Sequence, residues 1–553
     1  MTYLLFPGRH LLHTSFQEQY LRQVLQAPLA QLDWWQGVQP AAAAPLNHII
    51  FAITSANQQH SRYNPIPLHV RAIGVDRFAR TLEMALDIHY RIVGIPHYQP
   101  TPRFAGYVLK EIEEQTEGRL QLSPENCVVL SSTEAVIEQY QALGFAILPA
   151  ERGQTSPAPT PMAIIQRFVS IGEQWTFDQS LRAHMAPSSY DLWHDFPDVP
   201  RRILRIWREP LLNDSGGLTE TRDYHVYAIG MANNDIIQLK YQDVKPAIVP
   251  GKIVDEGCAD GALLALIARD FPDSDLIGIE ITGEFIAHYQ ERQRAGDFGG
   301  SFVHFHQRNI THILFAGSSI DTTLCNSTVH ELWSYGEGEV TVHDYFRKKY
   351  AQTAPGGRLI IRDVVGPADP DREVYLWLNF QDGSRDRGQG DPLAEFEDPA
   401  DLAKQLAGLS TRGRFLRFCQ DFLAAERASG KLGPETQIRP RLETIDGKTY
   451  AVLTLREAAE FISKKDYVEN WQSEMHEEFV FWSFAQWKAA LSDAGFHLLE
   501  NPNAPAEGSR VYLNPWLVEN RYQGKVALFS RQGDALVPLP FPPSNVVLVA
   551  EKR

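Results

Sequence analysis

Short apolar runs alternate along this chain with stretches in which apolar residues return every three to four positions. The first kind reads as buried strand and the second as amphipathic helix. Their regular alternation predicts α/β domains built on parallel sheets. The rhythm occurs twice. In residues 1–150, strands are expected at Tyr3–Phe6, His48–Thr54, Tyr90–Ile95, Cys127–Leu130 and Phe145–Leu148. Helices are expected at Ser15–Leu25, Pro67–Leu86 and 103–116, and another from Ser131, where Ser131-Ser-Thr-Glu134 has capping-box spacing. The second α/β domain takes residues 246–365 and 480–553. Its strands fall at Leu276–Glu280, Phe302–His306, Ile320–Cys325, Arg358–Asp363 and Val546–Ala550, with a helix over Phe484–Phe496.

Three segments break the rhythm. Residues 151–160 are rich in Pro, Ser and Thr and read as a linker. Residues 161–245 read as a helical connecting region, with apolar positions at Ile164, Ile165, Phe168 and Val169 and a strand-like run at Tyr224–Met231. Such a region can serve as a spacer or cover a neighbouring pocket. Residues 366–479 are too long for an ordinary connection. Helical runs at Asp401–Leu409, Arg414–Ala428 and Leu455–Lys464 make them a mostly helical lid, with 505–530 as a second cap.

A chain of 553 residues has room for several domains. No apolar run reaches membrane-span length, and the first residues lack a secretory leader's pattern. Cys127, Cys258, Cys325 and Cys419 are scattered without metal-ligand spacing, so reduced thiols and a cytoplasmic location are expected, with no metal. The net charge of −16 disfavours a broad nucleic-acid surface.

The richest chemistry lies at Ile253-Val-Asp255-Glu256-Gly257-Cys258-Ala-Asp-Gly261, a strand, a tight turn and a helix start. Such a turn brings backbone N–H groups close to a nucleotide-like ligand. Glu280 ends the next strand, where a carboxylate can accept both hydroxyls of a ribose. A dinucleotide fingerprint would need Gly at 259 and 262, and both are Ala. The turn resembles the D-x-G-C-G-x-G motif of class I S-adenosylmethionine (SAM) methyltransferases, with Ala259 in place of the middle glycine. The resemblance continues through Asn309-Ile310, Asn326, Pro355-Gly-Gly357 and the Trp487 helix ending in Ala494-Gly-Phe496. It implies a Rossmann-like sheet with SAM as cofactor. Asp255, Glu256, Gly257, Cys258 and Gly261 would sit at the turn, Glu280 on the ribose, Asn309 and Ile310 on the adenine, and Asn326 beside them. The acceptor would enter over Asn326-Ser-Thr-Val-His330-Glu331, with His330 as base and Glu331 orienting it, or with that pair facing solvent. Met475-His-Glu-Glu478 reads as a solvated helix end or, less readily, a metal cluster.

Residues 54–71 align without gaps to a segment of nicotinamide-nucleotide adenylyltransferases, sharing Ser55, Ala56, His60, Asn64, Pro65 and Arg71. Gly8-Arg9 fits that family's opening; with four residues deleted, His10-Leu-Leu-His13 takes the place of H-x-G-H with Leu for Gly, and with no deletion Thr14-Ser-Phe-Gln17 does, losing both the glycine and the final histidine. Val136 stands where the family has a phosphate-binding arginine. The resemblance implies a nucleotidyltransferase-like domain using Gly8, Arg9, His13, His60, Asn64 and Arg71 on a nucleotide, with catalysis damaged. The expected function is methylation of a small or modified metabolite. The alternatives are a nucleotide or RNA acceptor, a bifunctional nucleotidyltransferase-methyltransferase, and a SAM-binding interaction protein without catalysis.

Overall fold

A computed structural model describes residues 2–41, 44–98, 101–150, 158–218, 234–386, 399–501, 503–504 and 507–553. The chain divides into two compact units, Met1–Gly217 and Leu218–Arg553.

In the first unit, β1 (Thr2–Gly8), β2 (Leu46–Thr54), β3 (His89–Ile95), β4 (Cys127–Ser131) and β5 (Ile147–Pro149) form one parallel sheet in the order β3-β2-β1-β4-β5. Leu4, Leu5, Ile50 and Phe51 are buried on both faces of the central strands, which is why those strands read as unbroken apolar runs. The helices α1 (Ser15–Gln26), α2 (Leu68–Leu86), α3 (Phe104–Gln115) and α4 (Glu134–Ala142) connect them. The capping box expected at Ser131 does not form. Ser131 ends β4 paired with Pro149, and its hydroxyl accepts from the Thr133 N–H at 3.3 Å.

The helices α5 (Pro161–Ile171), α6 (Gln179–His184), α7 (Pro187–Asp195) and α8 (Asp198–Arg208) belong to this unit and are not a spacer. Ile165, Phe168, Trp193 and Ile203 share one core with Leu11, Leu12 and Ile66. Arg202 donates to the carbonyls of Gln59 and Pro65 at 2.5 and 2.8 Å. The first domain therefore runs well past residue 150. Most of the expected linker, 151–157, and the run Tyr224–Met231 lie outside the described residues.

In the second unit, α9 (Asn234–Val244) precedes β6 (Lys252–Glu256), α10 (Ala262–Asp270), β7 (Asp275–Glu280), α11 (Gly283–Ala295), β8 (Val303–Gln307) and β9 (Ile320–Asn326). Next come α12 (Val329–Tyr335), α13 (Glu339–Gln352) and β10 (Thr353–Val364). After a long insertion, α19 (Phe484–Asp493), β14 (His497–Leu498), β15 (Arg510–Tyr512) and β18 (Asn545–Glu551) complete the sheet. Its order is β14-β18-β10-β9-β6-β7-β8, with β15 also paired to β18. The strands β6 to β10 are parallel, and β18 alone runs antiparallel against β10. The order reverses between β6 and β9, so a ligand crevice opens at the carboxyl ends of these two strands.

Among its described residues the insertion has the expected helices and, in addition, a sheet. β11 (Glu373–Leu378), β12 (Arg441–Ile445) and β13 (Lys448–Thr454) join β16 (Val526–Gln532) and β17 (Ala535–Leu539) in an antiparallel sheet ordered β12-β13-β11-β16-β17. The lid and the second cap are thus one structure. The helices α14 (Pro399–Gly408), α15 (Thr411–Asp421), α16 (Ala424–Ala428), α17 (Leu455–Lys464) and α18 (Trp471–Glu474) accompany it. Phe415, Phe418, Phe461 and Trp471 pack with Val374, Leu376 and Leu528 in its core.

Candidate active site

The turn after β6 reverses within five residues. Gly257 sits at φ +72° and Gly261 at φ +81°, a region that favours glycine. Both also lack room for a side chain. A Cβ would stand 2.6 Å from Thr328 Oγ1 at Gly257 and 2.6 Å from the Phe305 ring at Gly261. Ala259, in the place of the family's middle glycine, adopts φ +47°, and its N–H donates to Glu280 Oε2 at 3.1 Å. A cavity at this turn is lined by Asp255, Gly257, Cys258, Ala259, Asp260 and Asn326, with Ile237 and Lys240 from α9 and Phe285 and His288 from α11. Burial pushes the Asp255 carboxyl up to about 7, against the pull of Lys240.

The amide of Asn326 faces this cavity with both its oxygen and its nitrogen buried and unpaired. An amide left so is costly, and a polar ligand there would satisfy it. The residues at the turn fit a SAM-like group on that ground. Glu280 lies behind the turn. Its second oxygen accepts from the N–H groups of Ile281 and Thr282 at 2.7 and 3.0 Å, and burial raises its pKa.

Three expected cofactor residues stand elsewhere. Glu256 points to the opposite side of β6, where it pairs with buried Lys349 and accepts from Tyr345 Oη at 2.6 Å. Alternation along a strand forces this, because Asp255 takes the cavity side. Asn309 closes a local turn, accepting from Thr311 N and Oγ1 at 3.0 and 2.7 Å. Ile310 is buried in the main core, and neither residue lines the turn cavity.

Over the ends of β9 and β10 lies a second cavity of about 560 Å³. Ser327, His330, Glu331, Arg362 and Val364 form its floor, and Tyr467, Glu474, Glu477, Phe479, Trp516 and Arg521 close it from the insertion. Lys240 lines both cavities. Burial and Arg362 push its ammonium down to about 8, against the pull of Asp363, Asp255 and Glu331.

His330 is buried in the cavity floor. Its Nδ1 lies 2.7 Å from Asp363 Oδ1, and its Nε2 lies 3.4 Å from Glu477 Oε2. Burial opposes a charge on the ring, but Asp363 and then Glu477 outweigh it and hold the pKa well above the usual range. The raised pKa favours the protonated ring. This corrects the expected pairing of His330 with Glu331. Consecutive residues of a helix do not face each other, and both ring nitrogens are engaged elsewhere. Glu331 lines the same cavity.

The run Met475–Glu478 is neither a solvated helix end nor a metal cluster. Its side chains diverge: His476 Nδ1 meets Glu426 at 2.9 Å, Glu477 reaches His330, and Glu478 accepts from Trp333 Nε1 at 3.2 Å. Sequence reasoning missed Lys240, Phe285, His288, Asp363 and Arg521. Asp363 alone carried a local signal, as the last charged residue of the fifth strand.

Residues 250–389 match the family described as "Methyltransferase domain". The second unit carries a methyltransferase domain. Its sheet order is that of class I enzymes. No curated protein matches the chain. Among solved structures it is similar to a protein described as an O-methyltransferase from Nostoc punctiforme, at 12% identity over 58% of either chain with a TM-score of 0.29. A SAM-dependent methyltransferase from Mesorhizobium loti is 12% identical over 59% of this chain and 99% of its own, with a TM-score of 0.29. One from Methanosarcina mazei is 14% identical over 56% and 96%, with a TM-score of 0.27. The chain spans little more than half the length of the Nostoc protein.

Outside the methyltransferase domain, the residues resembling a nucleotide site are buried at His13, Asn64 and Arg71 and half-buried at Gly8, Arg9 and His60. Arg71, 1% exposed, donates to the carbonyls of Arg9, Thr54, Ser55 and Gln58. His10 Nδ1 meets His13 Nε2 at 3.2 Å, and the His13 ring stacks on Phe78 at 4.0 Å. Burial lowers both imidazole pKa values, His10 to about 4. Asn64 donates to Gln58 Oε1 at 2.9 Å, Arg9 donates to the Tyr63 carbonyl, and His60 lies 3.5 Å from Arg202. A Cβ on Gly8 would meet the His10 ring at 3.5 Å. The space left beside His10, His13 and Arg71 is about 10 Å³, enough for about one water. Leu11 and Leu12, where the family has a small residue, fill the rest together with Trp193 and Ile203.

Proposed function

We propose that the protein transfers a methyl group from SAM to a small or modified metabolite held in the 560 Å³ cavity. The carrying observation is Lys240, which lines that cavity and the glycine-turn cavity alike, so that the two adjoin. Bound SAM would supply an electrophilic sulfonium methyl. Asn326 and the turn from Gly257 to Gly261 would hold it, with the Asp255 carboxyl beside a cationic ligand and Glu280 bracing the turn from behind through the Ala259 N–H. The floor of the larger cavity aligns the acceptor and excludes water.

An imidazolium at His330 leaves the adjoining Glu477 carboxylate to take the acceptor's proton, with the positive ring stabilising the charge that develops. The first unit has no part in this chemistry on our reading. Most polar atoms of its nucleotide-like residues are taken up by internal hydrogen bonds, although His13 Nδ1, Asn64 Oδ1 and Arg71 Nε stay buried and unpaired. The test is direct. Purified protein is incubated with methyl-labelled SAM and a fractionated metabolite extract, and labelled product is identified by mass spectrometry. Label transfer that disappears in Glu477→Gln supports the reading. Absence of S-adenosylhomocysteine binding by calorimetry would overturn it.

A further inference from the structure

Two groups in the acceptor cavity, one acid and one base, each keep a buried polar atom without a hydrogen-bond partner. Glu474 ends α18, is 3% exposed, and keeps Oε2 buried and unpaired. Burial and the neighbouring Glu477 raise its pKa, so it holds a proton that an incoming cation would displace. The backbone around it is fixed. Lys464, wholly buried, donates to the Glu474 carbonyl at 2.8 Å and to that of Glu477, and to the Glu460 carboxylate at 2.8 Å. Glu474 is thus a rigidly placed carboxyl facing a cavity.

Arg521 supplies the other pole. Its guanidinium lies over Tyr467 and Trp516, at 4.7 and 5.5 Å from the ring centroids, and its Nη1 is buried and unpaired. It sits in a π-helical turn, Val518–Tyr522, closed by the Gln523 N–H bond to the Val518 carbonyl at 2.9 Å. Such turns recur at functional sites. Arg362, another cation of the floor, is already bound to Asp243 at 2.8 Å and to Tyr512 at 3.2 Å.

From this pairing we infer that the acceptor is zwitterionic, with an ammonium that docks on Glu474 and a carboxylate or similar anion that docks on Arg521. The inference rests on the larger cavity being the acceptor site. It follows from the cost of burying polar groups unpaired, which a ligand of matching polarity removes.

The test uses the full-length protein saturated with S-adenosylhomocysteine, so that the cofactor site cannot take the probe. Straight-chain ω-amino carboxylates of increasing length are titrated by calorimetry, beside the plain amine and the plain carboxylate of each length. At one length the amino carboxylate should bind at least about tenfold tighter than either monofunctional compound. Binding should release close to one proton near neutral pH, read by repeating the titration in buffers of different ionisation heat. Glu474→Gln should abolish the proton release and reduce the amino carboxylate to the affinity of the plain carboxylate. Arg521→Gln should reduce it to that of the plain amine. Unchanged S-adenosylhomocysteine affinity certifies that each variant is folded. Equal binding of the three compound types at every length, no binding at any length, or indifference to both substitutions overturns the inference. Failure of S-adenosylhomocysteine to bind the unaltered protein would instead strike the methyltransferase reading.

Discussion

Asp363 holds His330 from two sides. One carboxylate oxygen meets the ring Nδ1 at 2.7 Å, and the other accepts from the backbone N–H groups of Thr328, Val329 and His330, at 2.8 Å from that of Val329. A single side chain at the end of β10 thus caps α12 and fixes the ring it presents. Asp363→Asn leaves a buried imidazolium without its nearest counter-charge. We expect a stability loss of about 3–5 kcal/mol in urea unfolding, the usual cost of breaking a buried pair. Methyl transfer should fall more steeply than S-adenosylhomocysteine affinity.

The same pair sets a pH window. The folded pKa of His330 is raised above 6.5, so its contribution is complete below that value and is lost as pH climbs through the folded value. The Asp363 pKa is lowered from 3.8, chiefly by His330 working against burial, so its contribution is complete above that value and is lost as pH falls through the folded value. The stability gap between the unaltered protein and His330→Gln should peak near neutrality and shrink at both extremes. A gap that stayed flat across urea titrations from acid to alkaline pH would contradict the pairing.

Asn326 separates ligand binding from stability. Its amide is unpaired in the described structure, so Asn326→Leu should leave unfolding nearly unchanged or shifted slightly upward. Affinity for S-adenosylhomocysteine should drop by about tenfold, or about 1.4 kcal/mol. Melting curves with and without ligand read both effects at once.

Lys240 should make the cofactor preference depend on pH. Its ammonium, lowered to about 8, loses its charge as pH rises through that value. SAM carries a sulfonium charge that S-adenosylhomocysteine lacks. The affinity ratio of SAM to S-adenosylhomocysteine should therefore rise between about pH 7 and about pH 9, and Lys240→Met should flatten the trend. Paired calorimetric titrations across that range give the answer.

For the first unit we expect structure without nucleotide chemistry. Full-length protein should release no pyrophosphate from ATP with nicotinamide mononucleotide. Arg71→Met should lower the melting temperature, because four carbonyls lose their donor, while cofactor affinity stays the same. Pyrophosphate release abolished by His13→Ala would reverse the assignment.

The sheets of both α/β domains were legible because their strands are continuous apolar runs buried on two faces, as at Ile253-Val254 and Leu548-Val549. The sheet of the insertion was not, because its partners are far apart in sequence and an edge strand such as Arg441–Ile445 is exposed and half-polar. Yet its turns were written plainly. Asp446-Gly447, at φ +51° and +74°, joins β12 to β13 as a two-residue hairpin loop, and Gly533-Asp534 joins β16 to β17. The glycine turn was readable down to Ala259. The orientation of Glu256 follows from strand alternation, and its assignment to the cofactor ignored that alternation. Glu474, Glu477 and Arg521 could not be placed from spacing, since only the long-range pairing of the insertion brings them to the cavity. The nucleotide-like segment misled for another reason. Arg71 and Asn64 keep their residue types while hydrogen-bonding to the chain itself.

The insertion sheet also bears on how the molecule comes into being. The cofactor turn and the strands β6 to β9 are contiguous, and a growing chain can assemble them in order of synthesis. β10 must await β18, and β11 must await β16, where Tyr375 meets Phe529. Until those late segments leave the ribosome, two strands stand with an open edge, and the substrate chamber lacks the wall that carries Arg521. The nascent protein would acquire its methyl-donor site first and its choice of substrate last.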